Sequence, residues 1–460
     1  MRDKNISIED LAKEAFFLAD LIIHRYSSKE GGIFETVDVQ MGKVLDPACA
    51  IDELGDYIQY VIYLGVSTSK KEYVDWGVRA ITSIAHSYQS GKGLFFNKPK
   101  RSGSLITRNL LSLNNADTIT GLVSSYIYTE SPPLRPVIDS FINGTFEYFI
   151  EGNYITYGYL LGDMCKVSMS SLLFTGYFVE EVLTFIEFTN DRSWRKEIER
   201  IIDRNLSNEF FLKHGVFQAR IPLGFKGDLW RFIYRVFKRD DLNTTFLVKD
   251  NLYFLFSLLK YYTLEKNDSI KEVITRVYDR LLEIFVLKNE IYNAWNPFKG
   301  VTGRPSPLAL CHSLIELQLD LFHEFGDERY LREASGLAGR WLKRMSSLGV
   351  VNETIYRDEN YALLDPNVDF AINLFKLWEK TGDIRYRERA LEVLSGIIEY
   401  FKAPSGYYWK VDTCTGRPLQ THIETKYLGL LLKLFLVTME NLKGRRIIEN
   451  PMIRNLAKDR

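Results

Sequence analysis

Apolar residues are distributed along this chain in two alternating patterns. In the first they run almost unbroken, as in Leu428-Gly429-Leu430-Leu431-Leu432. In the second they recur every three or four positions among charged residues, as across 269–286 and 328–346. A helix apolar on all sides is buried, and one with a single apolar stripe lies against a core. Stretches of the first kind fall around 50–65, 115–129, 167–189, 249–265, 306–325, 367–380 and 422–441. Those of the second kind fall around 7–26, 69–90, 134–150, 192–208, 269–286, 328–346 and 384–402. The alternation predicts buried inner helices, each paired with an amphipathic outer one.

The turns that join them repeat. Thr381-Gly382-Asp383-Ile384-Arg385-Tyr386, Phe325-Gly326-Asp327-Glu328-Arg329-Tyr330 and Thr189-Asn190-Asp191-Arg192-Ser193-Trp194 share one form, with weaker copies at 67–73 and 266–270. Gly or Asn closes one helix in the left-handed conformation, Asp or Ser opens the next, and the aromatic residue packs back on the hairpin. The copies lie about sixty residues apart, or a multiple of that, a period that marks a helical-hairpin repeat. The fold class expected is all-α, an (α/α) toroid of about seven hairpins.

Inner-to-outer turns are short, whereas the outer-to-inner connections at 91–113, 213–249, 288–307, 348–365 and 403–421 are long and rich in Gly, aromatics and polar residues. The alternation Gly406-Tyr407-Tyr408-Trp409-Lys410-Val411-Asp412 predicts a β-hairpin. All the long loops are expected at the N-terminal ends of the inner helices, where a rigid scaffold presents a site. One barrel domain over 1–445 and a plain basic tail over 446–460 complete the expected organisation.

Composition narrows the function classes. Hydrophobic residues make up 46% of the chain, enough for a large core and too much for disorder. Lys+Arg and Asp+Glu both number 59, so no basic excess points to nucleic acid. Cys49, Cys165, Cys311 and Cys414 are scattered and form no CxxC, which suggests a reducing, cytoplasmic setting. The start, Met1-Arg2-Asp3-Lys4, leads into a mixed amphipathic helix rather than the apolar core of a signal peptide. No stretch approaches the roughly 18 apolar residues of a membrane span. The longest apolar run, near Leu428–Met439, is interrupted by Lys433.

The candidate functional residues are polar groups at the starts of the inner helices. These are Asp52, Glu53 and Asp56, then Arg108 and Asp117, Asp163, Asp250, Arg304, Asp365 and Asp369, and finally His422 and Glu424. Asp250 and Asp365 read equally well as N-caps. Asp369 and Glu424 fall in apolar first turns, where an unpaired carboxylate is costly. His422 stands at a helix start on the loop face and suits acid–base or substrate-binding work, whereas Cys311 and His312 fall inside an apolar helix and read as core. Trp295, Tyr408 and Trp409 lie in the loops and suit stacking on sugar rings.

The last two repeats carry a resemblance. Asn367-Val368-Asp369-Phe370-Ala371-Ile372-Asn373-Leu374-Phe375-Lys376-Leu377-Trp378, followed by Thr381-Gly382-Asp383, resembles the sixth repeat of the class I (inverting) α-mannosidases. His422-Ile423-Glu424-Thr425-Lys426-Tyr427-Leu428-Gly429-Leu430-Leu431-Leu432-Lys433 resembles that family's last inner helix. The resemblance implies that Asp369 stands at a catalytic position, that Glu424 matches a substrate- and metal-shell glutamate, and that Asp250 falls within a residue of a catalytic aspartate. It also implies calcium, but the family's calcium-binding Thr-Glu hairpin is absent after the last helix, so no cofactor or metal is expected.

The expected function is a glycoside hydrolase, mannosidase-like and inverting, acting on a saccharide. Asp369, Asp250, Glu424 and His422 are the expected catalytic groups. Glu53, Asp56, Arg108, Asp117, Trp295, Arg304, Tyr408 and Trp409 are the expected substrate-binding groups. Inversion needs one protonated and one ionised carboxyl group with room for a water between them. The alternatives are a sugar epimerase or isomerase, in which a His and a carboxylate move a proton next to a carbonyl, and a non-catalytic toroid that binds glycans or a protein.

Overall fold

The computed structural model describes residues 6–29, 31–49, 55, 57–91, 93–95, 109–156, 158–160, 165–166, 169–224, 229, 246–297, 299–356 and 359–458. Among them the helices in chain order are α1 (Ile8–His24), α2 (Ile58–Thr68), α3 (Lys71–Tyr88), α4 (Ser112–Thr129), α5 (Leu134–Gly144), α6 (Leu172–Thr189), α7 (Arg195–Leu206) and α8 (Glu209–His214). They continue with α9 (Val248–Glu265), α10 (Asp268–Phe285), α11 (Leu308–Phe325), α12 (Glu328–Leu342), α13 (Leu364–Thr381), α14 (Ile384–Tyr400), α15 (Lys426–Leu442) and α16 (Pro451–Leu456). Both predicted helix sets are present, with most ends displaced by a few residues; α2 starts eight residues after the expected 50, and α5 ends six before the expected 150.

The predicted turns form as their chemistry requires. Gly382 closes α13 at φ +70° with its N–H on the Trp378 carbonyl, and Asp383 then caps α14 by accepting from the Arg385 N–H. Gly326 and Asp327 do the same between α11 and α12, and Lys266 and Asn267 between α9 and α10. Tyr330 and Trp194 pack back on their hairpins, edge-on to Phe325 and tilted against Phe185 respectively.

Inner and outer helices differ in burial as predicted. In α15 every residue from Leu428 to Asn441 is buried, whereas α12 buries only Tyr330, Leu331, Ala334, Leu337, Ala338 and Trp341, one stripe at helical spacing.

The chain divides into two compact units. One comprises Met1–His86, Ser124–Leu134 and Pro307–Arg460; within it α11 packs on α12 and α13, α13 on α14 and α15, and α15 on α1 and α2. The other comprises Ser87–Val123 and Arg135–Ser306, and α9 packs there on α6 and α10. Gly176 lets α6 and α9 approach closely, because a Cβ there would stand 2.7 Å from the Tyr253 backbone.

The long connections carry small antiparallel sheets, among whose strands are β3 (Asn109–Leu111), β4 (Ile150–Glu151), β5 (Tyr154–Ile155), β6 (Gly158–Leu160), β7 (Cys165–Lys166), β8 (Phe246–Leu247), β9 (Val286–Leu287) and β10 (Glu290–Asn296). In the first unit β1 (Phe34–Asp38) pairs with β2 (Lys43–Cys49) and with β16 (His422–Glu424). The expected hairpin over 406–412 is instead split between two sheets. β14 (Gly406–Tyr407) turns back on β13 (Lys402–Ala403), and β15 (Lys410–Asp412) crosses to β12 (Tyr361–Leu363). The Trp409 carbonyl, between the two halves, accepts from the Leu364 N–H at 2.9 Å and so belongs to the start of α13.

The C-terminal segment is not a plain tail. Asn450 caps α16 by accepting from the Met452 and Ile453 N–H groups, and Ile453, Asn455, Leu456 and Ala457 are buried. Its single apolar stripe is too short to stand out in a periodicity search. No helix among the described residues is long and apolar enough to cross a membrane.

Candidate functional site

In the first unit a cluster of titratable groups assembles at the N-terminal ends of α11 and α13. The loop between α12 and α13 passes the start of α11, where the Glu353 carbonyl accepts from the Leu308 N–H at 3.0 Å. Pro307, the α11 cap residue, offers no side-chain bond. The Glu353 carboxylate lies over that helix end, with Oε1 accepting weakly from the Ala309 N–H at 3.4 Å. Glu353 is buried, and burial, reinforced by the negative charge of Asp365, pushes its carboxyl up to about 8. The Ala309 N–H and His312 oppose the shift.

Asp365 lies in the first turn of α13. Its Oδ1 accepts from the Trp409 indole Nε1 at 2.8 Å. Burial pushes its carboxyl up to about 6; the indole bond and a backbone N–H pull it down, Asp369 one turn on pushes it up, and His312 pulls it down. His312 itself is buried on α11 and acts on both carboxyl groups. Trp409 is half-buried and stacks on Tyr427, with centroids 5.6 Å apart and planes within 12°. Lys410 holds its ammonium 3.8 Å from the Tyr361 ring centroid.

The carboxyl groups differ in the charge states they favour. Burial raises both, Glu353 further than Asp365, and His312 acts on each. Such divergence between adjacent carboxyls is how one site runs both halves of a proton-transfer reaction.

The expected residues distribute as follows. Asp369 is buried and its Oδ1 pairs with Lys433 Nζ at 2.5 Å; Lys433 is fully buried in α15 and donates also to the Lys458 carbonyl at 3.2 Å. Glu424 and His422 are not in a helical turn. They are exposed on β16, opposite Thr36 and Asp38, and Glu424 pairs with Lys426 at 2.8 Å. Strand pairing with β1 persists to Glu424 and delays the helix until Lys426. Tyr408 points inward and gives its hydroxyl to Gln40, leaving Trp409 alone of the pair on the Asp365 side.

In the second unit Asp250 is buried in the first turn of α9, and burial pushes its carboxyl up to about 6 against the charges of Lys249 and Arg220. Neither Asp250 nor Asp365 is an N-cap. The caps are Leu247 and Leu363, whose side chains have no group to bond with, and a strand runs directly into each helix. Trp295 packs edge-on to Phe246 and His214, and Arg304 is exposed on β11 (Gly300–Pro305). Asp117 falls within α4, while Asp52, Glu53, Asp56, Arg108 and Asp163 lie outside the described residues.

Sequence reasoning missed Glu353, which sits in no motif; it left Asp365 evenly between a cap and a site residue and placed His312 in the core, where it is buried. One signal was available. Lys433 interrupts an otherwise apolar helix, and a lysine buried on all sides must have an anionic partner.

Among the described residues no group of three or more His, Cys, Asp or Glu is placed to hold a metal ion. After α15, where the resembled family carries its calcium hairpin, this chain turns Arg454 toward Asp320 and Glu324 and buries Asn455. A guanidinium paired with the local carboxylates does not fit a calcium ion, which needs their oxygens.

The chain matches no protein-family profile and no curated protein. Solved structures do match it over nearly its whole length. A D-mannose isomerase aligns with TM-score 0.58 and 13% identity, over 93% of this chain and 97% of that one. An α-1,2-mannosidase from Trichoderma reesei aligns with TM-score 0.61 and 12% identity, over 93% and 92%. A cellobiose 2-epimerase from Spirochaeta thermophila aligns with TM-score 0.59 and 9% identity, over 96% and 100%. At these identities the likeness concerns fold, and the fold is the α/α toroid with short β-hairpins in its loops.

Proposed function

We propose that this protein is a carbohydrate-active enzyme that works by proton transfer, with Glu353 as general acid and Asp365 as general base. The observation that carries the reading is the neighbouring pair of carboxyl groups, one pushed up to about 8 and the other to about 6, beside a half-buried tryptophan. The likeness of the fold to sugar-processing enzymes supports a saccharide as substrate.

Glycoside hydrolysis uses this arrangement directly. Glu353 protonates the departing glycosidic oxygen, and Asp365 takes a proton from the attacking water. Trp409, braced by Tyr427, offers its face to a sugar ring while its N–H holds the base. Turnover should be bell-shaped in pH, with its optimum between the two carboxyl values. A panel of manno- and gluco-oligosaccharides, assayed for released reducing ends at several pH values, tests this. Turnover that Glu353→Gln and Asp365→Asn both leave intact defeats it.

The buried His312 favours a second reading, aldose–ketose isomerisation or epimerisation. There a base removes a carbon-bound proton next to a carbonyl and the acid protonates the oxygen. Running the sugar panel in D2O separates the two. Isomerisation places solvent deuterium on carbon, and hydrolysis does not.

A further inference from the structure

The segment that follows α15 is tied into the first unit at every step. The Ile447 and Ile448 N–H groups donate to the Glu379 carboxylate of α13, at 2.7 and 3.1 Å. Arg454 reaches Glu324 at 3.5 Å and Asp320 at 3.8 Å, both on α11. Asn455 donates to Ser124 Oγ and the Tyr128 hydroxyl of α4, each at 3.1 Å. Beyond it, the Lys458 carbonyl accepts from Lys433 Nζ, the same ammonium that holds Asp369. Four inner helices are thereby fastened to one short segment whose end touches the cation beneath the site.

We propose that the segment Asn450–Lys458 is a positioning element of the Glu353–Asp365 site, keeping Lys433 seated on Asp369. The inference rests on the reading of that site as a proton-transfer centre. Asp369 lies one turn from Asp365 on α13, and its charge is felt there. With Lys433 in place, its ammonium offsets part of the charge that Asp369 presents to Asp365. If the segment loosens, the ammonium exchanges a fixed carbonyl for water and can leave Asp369, whose bare carboxylate then opposes ionisation of Asp365. The other groups acting on Asp365 are the Trp409 indole, a backbone N–H at the start of α13 and His312 from α11, while Asp365 in turn raises Glu353 in the loop. Entry of water alone would act the other way, because hydration favours the ionised carboxyl.

The full-length Arg454→Met/Asn455→Ala variant removes both anchors without touching the site, with Asn455→Ser as a milder change should the double variant fold poorly. The readout is the pH titration of the Trp409 indole N–H resonance, assigned by its loss in Trp409→Phe, which follows Asp365 whether or not a substrate is known. Amine-specific acylation of Lys433, read by mass spectrometry, reports its release. The expected result is faster labelling of Lys433 and an indole midpoint raised by about one unit, the size a newly uncompensated neighbouring charge produces. An unchanged midpoint, or one that falls, overturns the proposal even if the melting temperature drops, since the segment would then be only structural support. Unchanged labelling in a folded variant overturns it equally. If the wild-type protein turns over no sugar, the proposed reaction fails while the indole titration still decides this point.

Discussion

Replacing Asp369 by Asn decides between the catalytic role that resemblance implies for it and the structural role its surroundings support. The side chain keeps its volume and loses its charge. It faces Lys433, whose side chain is 0% exposed, while Asp369 itself is 8% exposed. The variant therefore sets a neutral amide in place of the carboxylate beside a buried ammonium, which still donates to the Lys458 carbonyl. Removing one partner of a buried pair costs about 3–5 kcal/mol, far more than a surface pair would. Lys433→Met should cost a similar amount by stranding the carboxylate. The double variant Asp369→Leu/Lys433→Met removes both charges and should recover most of the loss, since an apolar replacement of a buried pair is commonly neutral or better. Urea unfolding followed by far-UV circular dichroism gives these stabilities, and with Asp369→Leu as the matching single variant the cycle gives a coupling of several kcal/mol. Single-variant losses below about 1 kcal/mol, with no coupling, would refute the reasoning. A stable Asp369→Asn protein with no turnover would restore the catalytic reading.

Glu353→Gln should lower turnover by about 10²–10⁴-fold and abolish the alkaline limb of the pH profile, with binding largely kept; initial rates across pH 5–9 check it. Trp409→Phe keeps an aromatic face and removes the indole bond to Asp365, so the acidic limb should move to higher pH, read in the same profiles. Asp250, pushed up to about 6 by burial, binds its proton more tightly folded than unfolded. It therefore costs stability progressively as pH rises from its ordinary value through about 6, and Asp250→Asn should melt higher than wild type at pH 8 with the gap closing by pH 4. His422→Ala, on an exposed strand, should change stability by less than about 0.5 kcal/mol, and a tenfold loss of turnover would return it to the site.

The hairpins were legible because their signals are local and repeated. A glycine that must adopt positive φ, an aspartate that must accept from the next helix and a period of 3.6 all act within a few residues. The split of 406–412 between two sheets was not legible. Alternation marks a strand, and it does not name the partner; β15 pairs with β12, some fifty residues earlier in sequence, because the start of α13 also binds Trp409.

Site chemistry depends on distance across the fold, and the sequence records distance poorly. Asp365 looks like a cap in one dimension because Asp before an apolar run usually is one. The cap here is Leu363, since β12 hands its backbone straight to the helix, and the carboxylate is left to meet Trp409 and Glu353 instead. The resemblance gives Asp369 a catalytic position, yet its partner waits 64 positions on, in α15. What the sequence did hold was the complementary anomaly. A carboxylate on one apolar helix and a lysine on another each demand a counter-charge, and two such demands in neighbouring inner helices satisfy each other. Pairing anomalies across repeats, rather than reading each within its own, would have found the Asp369–Lys433 pair. It would equally have found Glu316–Lys376, a second buried pair at 2.7 Å between α11 and α13. Among the described residues neither Glu353 nor Asp365 is ion-paired with a cation, and that property separates a candidate proton-transfer site from a structural bridge.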